Sequence, residues 1–282
     1  MLVPASADEA PAADLTFTIS GGRAEITGIK NAAEVTVVEL PSEIDGAGVT
    51  GIGAKAFYDV QNIIEVILPE TVEYIGAKAF ARCFGLKKIN FPDGLERIEE
   101  EAFCNANSLL EAMLPDSVTY LGDRVFESCT WLQKARIPSG FDKIGNYVFH
   151  SCSTLKSIEL PDKLVAIGDY AFANCSNLKV FTCEAAELPE LGTDIFSVIG
   201  DIPPLDYATP INEATLFVPE EVVEKYKAAD QWDKFGSILP ICETKINTIS
   251  RPIDESRKLL FNGYLFILLN ENIYNAMGYK VQ

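Results

Sequence analysis

Residues 83–105 read CFGLKKINFPDGLERIEEEAFCN, and the next three stretches of equal length, up to residue 174, read ANSLLEAMLPDSVTYLGDRVFES, CTWLQKARIPSGFDKIGNYVFHS and CSTLKSIELPDKLVAIGDYAFAN. The same residue types recur at a spacing of 23 residues. The aromatic series is Phe80, Phe103, Phe126, Phe149 and Phe172. A fixed period between about 20 and 50 residues indicates a solenoid, in which each repeat forms one coil.

Each coil combines two extended segments with a compact turn. In the coil that begins at Leu86, the apolar residues Ile89 and Phe91 alternate with polar ones, which predicts a β-strand. Pro92 ends this strand, because proline has no N–H for the ladder. A second short strand follows, and then one turn of helix that would place the ring of Phe103 inside the coil.

A glycine follows the second strand in most coils, at Gly53, Gly76, Gly122, Gly145 and Gly168. Either a positive φ or the close approach of a neighbouring backbone can require glycine at such a place. One coil has Glu99 there instead, and a charged side chain is poorly suited to a positive φ. Close approach is therefore the favoured interpretation.

The complete pattern resembles that of a known family. Motifs such as Leu160-Pro161…Ile167-Gly168…Ala171-Phe172 resemble the BspA-type (Treponema-type) leucine-rich repeat, and the resemblance extends from residue 35 to about residue 240. It implies a right-handed solenoid with a parallel β-sheet on its concave side. It also implies a binding or adhesive role without catalytic residues. Because similar repeats occur in surface and secreted proteins of Bacteroidales and other host-associated bacteria, the resemblance implies such a source and an extracytoplasmic location.

The predicted fold class is therefore α/β, a leucine-rich repeat solenoid closed at both ends. The segments predicted are a disordered or signal-remnant start (1–14), an N-terminal β-hairpin cap (15–34), the repeats with a degenerate last coil (35–205), a C-terminal cap with a helix over 219–235 (206–242), and a linker with a β-hairpin tail (243–282). Gly21-Gly22 and Asn262-Gly263 predict the two hairpin turns.

The start of the chain allows two interpretations. Ala5-Ser6-Ala7 has the small residues of a signal-peptidase site, but no basic or long apolar segment precedes it. The segment is either a truncated signal sequence or a plain polar start. The longest apolar run, Tyr264–Leu269, is far shorter than the roughly 20 residues of a transmembrane helix, so no such helix is expected.

The net charge of −18 argues against a nucleic-acid partner, because a field of this sign repels phosphate groups. The oligomeric state cannot be inferred from these features.

The cysteines suggest disulfide or metal chemistry at first sight. Four of the seven, Cys83, Cys129, Cys152 and Cys175, share one repeat position, so they would stack about 5 Å apart, within reach of a disulfide. Ala106 occupies the same position in another coil, which favours a small buried apolar residue and free thiols. A bridge or a metal site is the alternative, but neither is required, and no cofactor is expected.

The single histidine, His150, is predicted to be solvated, because neighbouring coils place a surface-like mixture of residues at its position. A Ser-His-acid triad would have to use this histidine, and no nucleophile-elbow motif is present. No enzymatic activity is therefore predicted.

The outward face of the first strand is the candidate binding surface. Two columns of side chains form what we call the outward strip: Glu65, Ile67, Lys88, Asn90, Glu111, Met113, Lys134, Arg136 and Glu159. Acid and base alternate between adjacent strands, which favours a self-neutralising solvated face. The mixed apolar and polar character of the second column favours recognition of a protein or glycan partner. The sequence thus predicts a non-enzymatic binding protein, with a structural spacer or assembly module as the alternative.

Overall fold

The computed structural model describes residues 15–30, 32–197 and 211–241 and three strands between residues 257 and 275. Its strands are β1 (Leu15–Ser20), β2 (Arg23–Ile29), β3 (Val37–Glu39), β4 (Glu43–Ile44), β5 (Ala47–Ile52), β6 (Glu65–Ile67), β7 (Tyr74–Ile75), β8 (Lys88–Ile89), β9 (Arg97–Ile98), β10 (Glu111–Met113), β11 (Tyr120–Leu121), β12 (Lys134–Arg136), β13 (Lys143–Ile144), β14 (Ser157–Leu160), β15 (Ala166–Ile167), β16 (Val180–Cys183), β17 (Glu190–Leu191), β18 (Thr215–Val218), β19 (Ser237–Pro240), β20 (Arg257–Phe261), β21 (Tyr264–Leu269) and β22 (Asn272–Asn275). The helical segments of the described residues are α1 (Val223–Lys227) and 3-10 turns at Ala32–Glu34, Ile211–Glu213, Glu220–Val222 and Trp232–Lys234.

The repeats stack into two sets of parallel strands, which confirms the predicted solenoid. The first stack contains the first strand of each coil. It is hydrogen-bonded in three sections, β3-β6-β8, β10-β12 and β14-β16-β18-β19. The second stack runs β2-β5-β7-β9-β11, with β1 added antiparallel at its N-terminal edge, and continues as β13-β15-β17. Paired residues occupy equivalent positions of successive repeats, as Ile75 and Ile98 do. Each repeat therefore adds one strand to a stack.

The phenylalanines form a buried column along the interior. The rings of Phe57 and Phe80 lie 5.1 Å apart at 2°, and those of Phe103 and Phe126 lie 5.5 Å apart at 13°. Each of these rings is fully buried. Burial of one such side chain contributes roughly 1.5–3 kcal/mol, so this column is a major part of the stability of the array.

The turn that carries each phenylalanine differs from the predicted turn of helix. Two residues per coil have left-handed backbone, for example Lys78 (φ 58°) and Arg82 (φ 63°). The N–H groups of Lys78, Phe80 and Arg82 donate to carbonyl oxygens of the next coil at 3.0, 2.8 and 2.8 Å. In an α-helix these groups would bond within their own segment. Bonding between coils replaces the helix and ties each turn to its neighbour.

Close approach of the backbones explains the glycine after the second strand, as predicted. Neither Gly76 nor Gly122 has a positive φ. A Cβ at Gly76 would lie 2.7 Å from the backbone nitrogen of Ala54, and a Cβ at Gly122 would lie 2.4 Å from that of Glu100. Such contacts are too short for any side chain, so glycine here allows the coils to stack closely.

A β-hairpin closes the N-terminal end of the solenoid. Strands β1 and β2 pair antiparallel, and the turn between them uses Gly21 (φ 59°) and Gly22 (φ 77°). Strand β2 then pairs parallel with β5 of the first coil. The extra residues of that coil form a second hairpin, β4-β5, which turns at Asp45-Gly46. The β1-β2 hairpin therefore continues the second stack and covers its N-terminal edge.

The C-terminal cap contains less helix than predicted. In place of one helix over 219–235, α1 ends at Lys227, and Gln231 has a φ of 66°. The Gln231 side chain accepts a hydrogen bond from the Ile195 N–H at 3.0 Å and donates to the Gly192 carbonyl at 2.9 Å. The helix is interrupted because this side chain satisfies backbone groups of the last coil. Trp232 still packs inside the cap, with 1% of its surface exposed.

The C-terminal segment is a separate compact unit of residues 242–282. It contains an antiparallel sheet of order β20-β21-β22, in which Phe261 pairs with Tyr264. The predicted Asn262-Gly263 turn lies outside the described residues, as do residues 1–14 and the boundary predicted between 205 and 206.

Candidate functional site

The first column of the outward strip consists of neutralised ion pairs. Glu65 pairs in register with Lys88, and the Lys88 ammonium lies 2.6 Å from the Glu65 carboxylate. Glu111 and Lys134 repeat this arrangement at 3.1 Å. Exposed ion pairs contribute only about 0–1 kcal/mol each. This column therefore gives the face a regular charge pattern, and its net charge is close to zero.

Asn90 in the second column is used for structure. Its side-chain oxygen accepts a hydrogen bond from the Leu68 N–H at 2.7 Å, and its amide donates to the Leu68 carbonyl at 2.8 Å. The side chain thus supplies the two bonds that an adjacent strand would otherwise make. Asn90 extends the β-ladder beyond the end of β8, and half of the hydrogen-bonding capacity of its amide is used there.

Arg136 is also engaged by its own chain. Its guanidinium donates to both Asp116 carboxylate oxygens at 2.7 and 2.8 Å and to the Leu114 carbonyl at 2.6 Å. The hydrogen bond from Arg136 lowers the pKa of Asp116, with a further contribution from the Ser139 N–H. The sequence did not reveal the pairing of Asp116 with Arg136, because the two residues are 20 apart and do not occupy equivalent repeat positions.

Two apolar side chains remain exposed in the strip. Ile67 is 37% exposed and Met113 is 47% exposed, on strands separated by the strand of Asn90. Glu159 is exposed at the far end of the same column. The strip is therefore a narrow surface in which two apolar side chains are bordered by ion pairs.

His150 was predicted to be solvated, and the structure shows that it is largely buried. Its side chain is 16% exposed and contacts a Glu127 carboxylate at 3.4 Å, and the same carboxylate accepts a hydrogen bond from Arg124 at 2.9 Å. Burial alone would raise the pKa of Glu127, but the hydrogen bonds from His150 and Arg124 and their charges lower it. The prediction failed because both neighbouring coils contact the ring: Glu127 of the preceding coil faces Nδ1, and the Asn174 amide of the following coil lies 3.3 Å from Nε2.

The His150 cluster lacks the geometry of a hydrolase triad. Ser151 Oγ lies 3.4 Å from His150 Nδ1, the same nitrogen that faces Glu127. A relay requires nucleophile and acid on opposite ring nitrogens. The nearby Cys104 is no better placed as a nucleophile, because burial, followed by the charge of Glu127, raises its pKa to about 12. These contacts indicate a structural cluster.

The cysteine column has a structural role in the interior. The thiols of Cys83, Cys129, Cys152 and Cys175 each donate to the phenylalanine carbonyl of the preceding coil, at 3.0 to 3.3 Å. The six cysteines of the described residues are buried and free. Burial raises the pKa of Cys83 and of Cys175 to about 12. In the described part of the chain, no three His, Cys, Asp or Glu residues are grouped so that they could hold a metal ion.

The comparisons with known proteins agree with this architecture. A family model for the BspA type leucine rich repeat region matches residues 31–156 in 6 copies. None of the curated proteins matches the sequence. Over the described residues, no helix has the length and apolar character needed to cross a membrane.

Several solved structures are similar. The leucine-rich repeat protein of Treponema pallidum has a TM-score of 0.51 and 29% identity, and the match covers 61% of this chain and 91% of that one. A leucine-rich repeat protein of Bacteroides ovatus has a TM-score of 0.48 and 22% identity, covering 80% and 75%. One from Bacteroides capillosus has a TM-score of 0.40 and 31% identity, covering 45% and 95%.

Proposed function

We propose that this chain, which belongs to the BspA-type leucine-rich repeat family, binds a protein partner through its outward strip without chemical turnover. The observation that carries the proposal is the pair of exposed apolar side chains, Ile67 and Met113, bordered by ion pairs. Interfaces between proteins typically combine an apolar centre with a polar rim. A glycan at the strip would use hydrogen-bonding groups, and those of Asn90 and Arg136 already bond to their own chain.

The location that we propose is extracytoplasmic, either secreted or at the cell surface. The support is the family resemblance, since repeats of this type are similar to those of surface and secreted bacterial proteins. Fractionation of the source cells would test this part, and recovery of the chain in the cytoplasm alone would contradict it.

The test of the strip is a charge substitution at its apolar positions. The double variant Ile67→Asp/Met113→Asp should lose binding to isolated host-matrix proteins that the unmodified chain retains. Val165→Asp is the matched control, because Val165 is also exposed, at 59%, and lies beside the second stack. Equal binding by the double variant and the control would exclude the strip as the site.

A structural role is the second candidate function. It is favoured by the separate C-terminal unit, which contains the antiparallel sheet β20-β21-β22. A module of this kind suits assembly or export. Deletion of residues 257–282 should then change the oligomeric state or the amount secreted, and unchanged values for both would exclude this role.

A further inference from the structure

The second stack is interrupted between the coil of Phe126 and the coil of Phe149. At the seams on either side, the glycine N–H donates to the preceding coil, from Gly122 to Ile98 at 2.9 Å and from Gly168 to Ile144 at 2.8 Å. The equivalent bond from Gly145 to Leu121 is not formed in the described structure, and β13 pairs only with β15. This seam therefore exposes backbone groups that are paired elsewhere in the stack.

The glycines show that the backbones are farther apart at this seam. A Cβ at Gly122 would lie 2.4 Å from the preceding backbone, and one at Gly168 would lie 2.7 Å away. At Gly145 the nearest backbone atom of the preceding coil, the Asp123 Cα, is 3.6 Å away. A Cβ at Gly140 would meet nothing within 4 Å, whereas at the equivalent Gly94 it would lie 2.8 Å from a carbonyl oxygen.

The cause of the opening is visible in the sequence. Phe141 occupies the position that other coils fill with smaller side chains, Val72, Leu95, Val118 and Leu164. The ring is buried, so its extra volume must be accommodated within the coil. A side chain that is too large for its place in a core shifts the backbone that carries it. The second strand of this coil is displaced while the rest of the coil stays in place.

The seam is a wedge and does not run through the whole coil. The rings of Phe126 and Phe149 lie 5.6 Å apart, and the Phe126 N–H donates to the Val148 carbonyl at 2.9 Å. On the first stack, Ala112 pairs with Ala135. A peptide strand between β11 and β13 would need a strand separation of about 9.6 Å, twice the usual spacing. The neighbouring contacts hold the coils too close for such an insertion.

The wedge opens into a cavity of about 420 Å³ with an aromatic wall. Tyr120 lines the cavity and is 41% exposed. Arg97, from the preceding coil, covers one face of this ring, with its guanidinium carbon 4.6 Å from the ring centre. Because five of the cavity residues, among them Asp142 and Lys143, belong to the following coil, the second face of the ring is turned toward the cavity.

The polar lining selects for a ligand with both donors and acceptors. The seam presents the N–H groups of Lys143 and Gly145 and the carbonyl of Leu121, which no partner strand uses. Carboxylates of Glu100, Asp123 and Asp142 outnumber the single ammonium of Lys143, so an anion such as phosphate is disfavoured. Sugar hydroxyls both donate and accept, and the C–H face of a sugar ring packs on an aromatic ring.

We infer that this wedge, which we call the Tyr120 seam, is a binding site for one neutral pyranose unit of a glycan. The sugar ring stacks on Tyr120, its hydroxyl groups donate to the Glu100 and Asp142 carboxylates and to the Leu121 carbonyl, and they accept from the Lys143 and Gly145 N–H groups. The third carboxylate, of Asp123, already accepts hydrogen bonds from Asn146 at 2.8 and 2.9 Å. The cavity volume is within the range of small-ligand sites. The site is on the second stack, so it does not depend on the protein-binding role proposed for the outward strip.

The first test is saturation-transfer NMR with methyl α-mannopyranoside, methyl β-galactopyranoside and the methyl β-glycoside of N-acetylglucosamine. At least one probe should bind, Tyr120→Ala should weaken it about tenfold through loss of stacking, and Tyr120→Phe should retain it. Tyr58→Ala is the control, because Tyr58 is equally exposed, at 41%, but lies away from the seam. Binding of none of the three probes, or equal binding by Tyr120→Ala, overturns the inference.

A second variant tests the seam itself. Phe141→Leu restores the residue size of the other coils and should let β13 pair with β11. We expect slower hydrogen exchange at the Gly145 amide together with loss of the glycoside signal. Slower exchange with unchanged glycoside binding would overturn the inference, as would displacement of the glycoside by inorganic phosphate. Host-matrix binding by the outward strip should be the same in both seam variants, so the two proposals fail separately.

Discussion

At the second strand, the seam between the coils of Phe103 and Phe126 is closed, whereas the seam between the coils of Phe126 and Phe149 is open. Both seams share the stacked rings and the hydrogen bonds of the turn. They differ at both strands: in the second stack β11 pairs with β9 but not with β13, and in the first stack β10 pairs with β12 but not with β8. The comparison shows that neighbouring coils are held by separate zones, one at each strand and one at the turn, and that a zone can open while the others hold.

The largest expected effect comes from the zone that both seams share. Phe126→Ala should lower the free energy of unfolding by about 3–5 kcal/mol, because it leaves a cavity in the ring column between both seams. Chemical denaturation followed by circular dichroism measures this change. Tyr58→Ala, at an exposed aromatic residue, is the control. A loss below about 1 kcal/mol would mean that the rings are not what holds the two seams together.

A matched pair of glycine substitutions compares the seams directly. Gly122→Ala at the closed seam should cost about 1–3 kcal/mol, because the added methyl group meets backbone that cannot move aside. Gly145→Ala at the open seam should cost less, since its closest contact is the Asp123 carboxylate oxygen at 2.5 Å, which belongs to a side chain. Thermal unfolding of both variants gives the difference. Equal losses would contradict the opening of the seam.

The cysteine column should respond less than the glycines. Cys152→Ala removes the thiol that donates to the Phe126 carbonyl and should lower the free energy of unfolding by about 1 kcal/mol. The loss is small because Ala106 already occupies the equivalent position in another coil. The seventh cysteine, Cys242, lies outside the described residues and is replaced by serine for a labelling test. In this Cys242→Ser variant the six remaining thiols should not react with iodoacetamide while the chain is folded, since they are buried and their pKa values are raised. Rapid alkylation before unfolding would contradict this packing.

The turn zone should give the open seam a pH dependence. Because the pKa of Glu127 is lower in the folded chain than its ordinary 4.5, the folded state binds fewer protons. The stabilisation is present above that ordinary value and is lost as the pH falls through the lowered value. Glu127→Gln should flatten the rise of melting temperature with pH in this acidic range. An unchanged slope would show that the contacts of Glu127 with His150 and Arg124 contribute nothing.

The smallest effect is expected at the first strand zone. Lys134→Ala removes the exposed pair with Glu111 and should change the free energy of unfolding by less than about 1 kcal/mol, decreasing further in high salt. Lys143→Ala, which has no ion pair of its own among the described contacts, is the comparison. A loss above about 2 kcal/mol would mean that the outward strip has a larger structural role than its exposure suggests.

The sequence predicted the features that recur in every coil, and it did not predict the contacts between residues at non-equivalent repeat positions. The phenylalanine, glycine and cysteine columns follow from spacing, and so does the placement of the outward strip. The pairing of Arg136 with Asp116 and the use of Asn90 as a backbone substitute join positions that are not equivalent in the repeat. The break in the C-terminal helix has the same origin, because Gln231 bonds to the last coil.

The open seam lies between these cases. Phe141 differs in size from the residues at the equivalent positions of other coils, but the consequence depends on how much a neighbouring strand can move. Tyr120 gave no signal in the sequence, because its importance comes from Arg97 on one face and the cavity on the other. A search for positions where one coil departs in volume from the others would have found this region.

The turn hydrogen bonds have a consequence for how such a chain changes length over evolution. Successive coils share the same turn donors and the same ring, and all but the coil of Glu99 and the seam at Gly145 also share the narrow glycine gap. An in-frame duplication of one 23-residue unit would therefore insert a coil whose upper and lower faces already fit. The hairpin and the aromatic cap would still meet the ends for which they are shaped. Length can thus change by recombination while each existing surface, including the Tyr120 seam, is copied or kept as a unit.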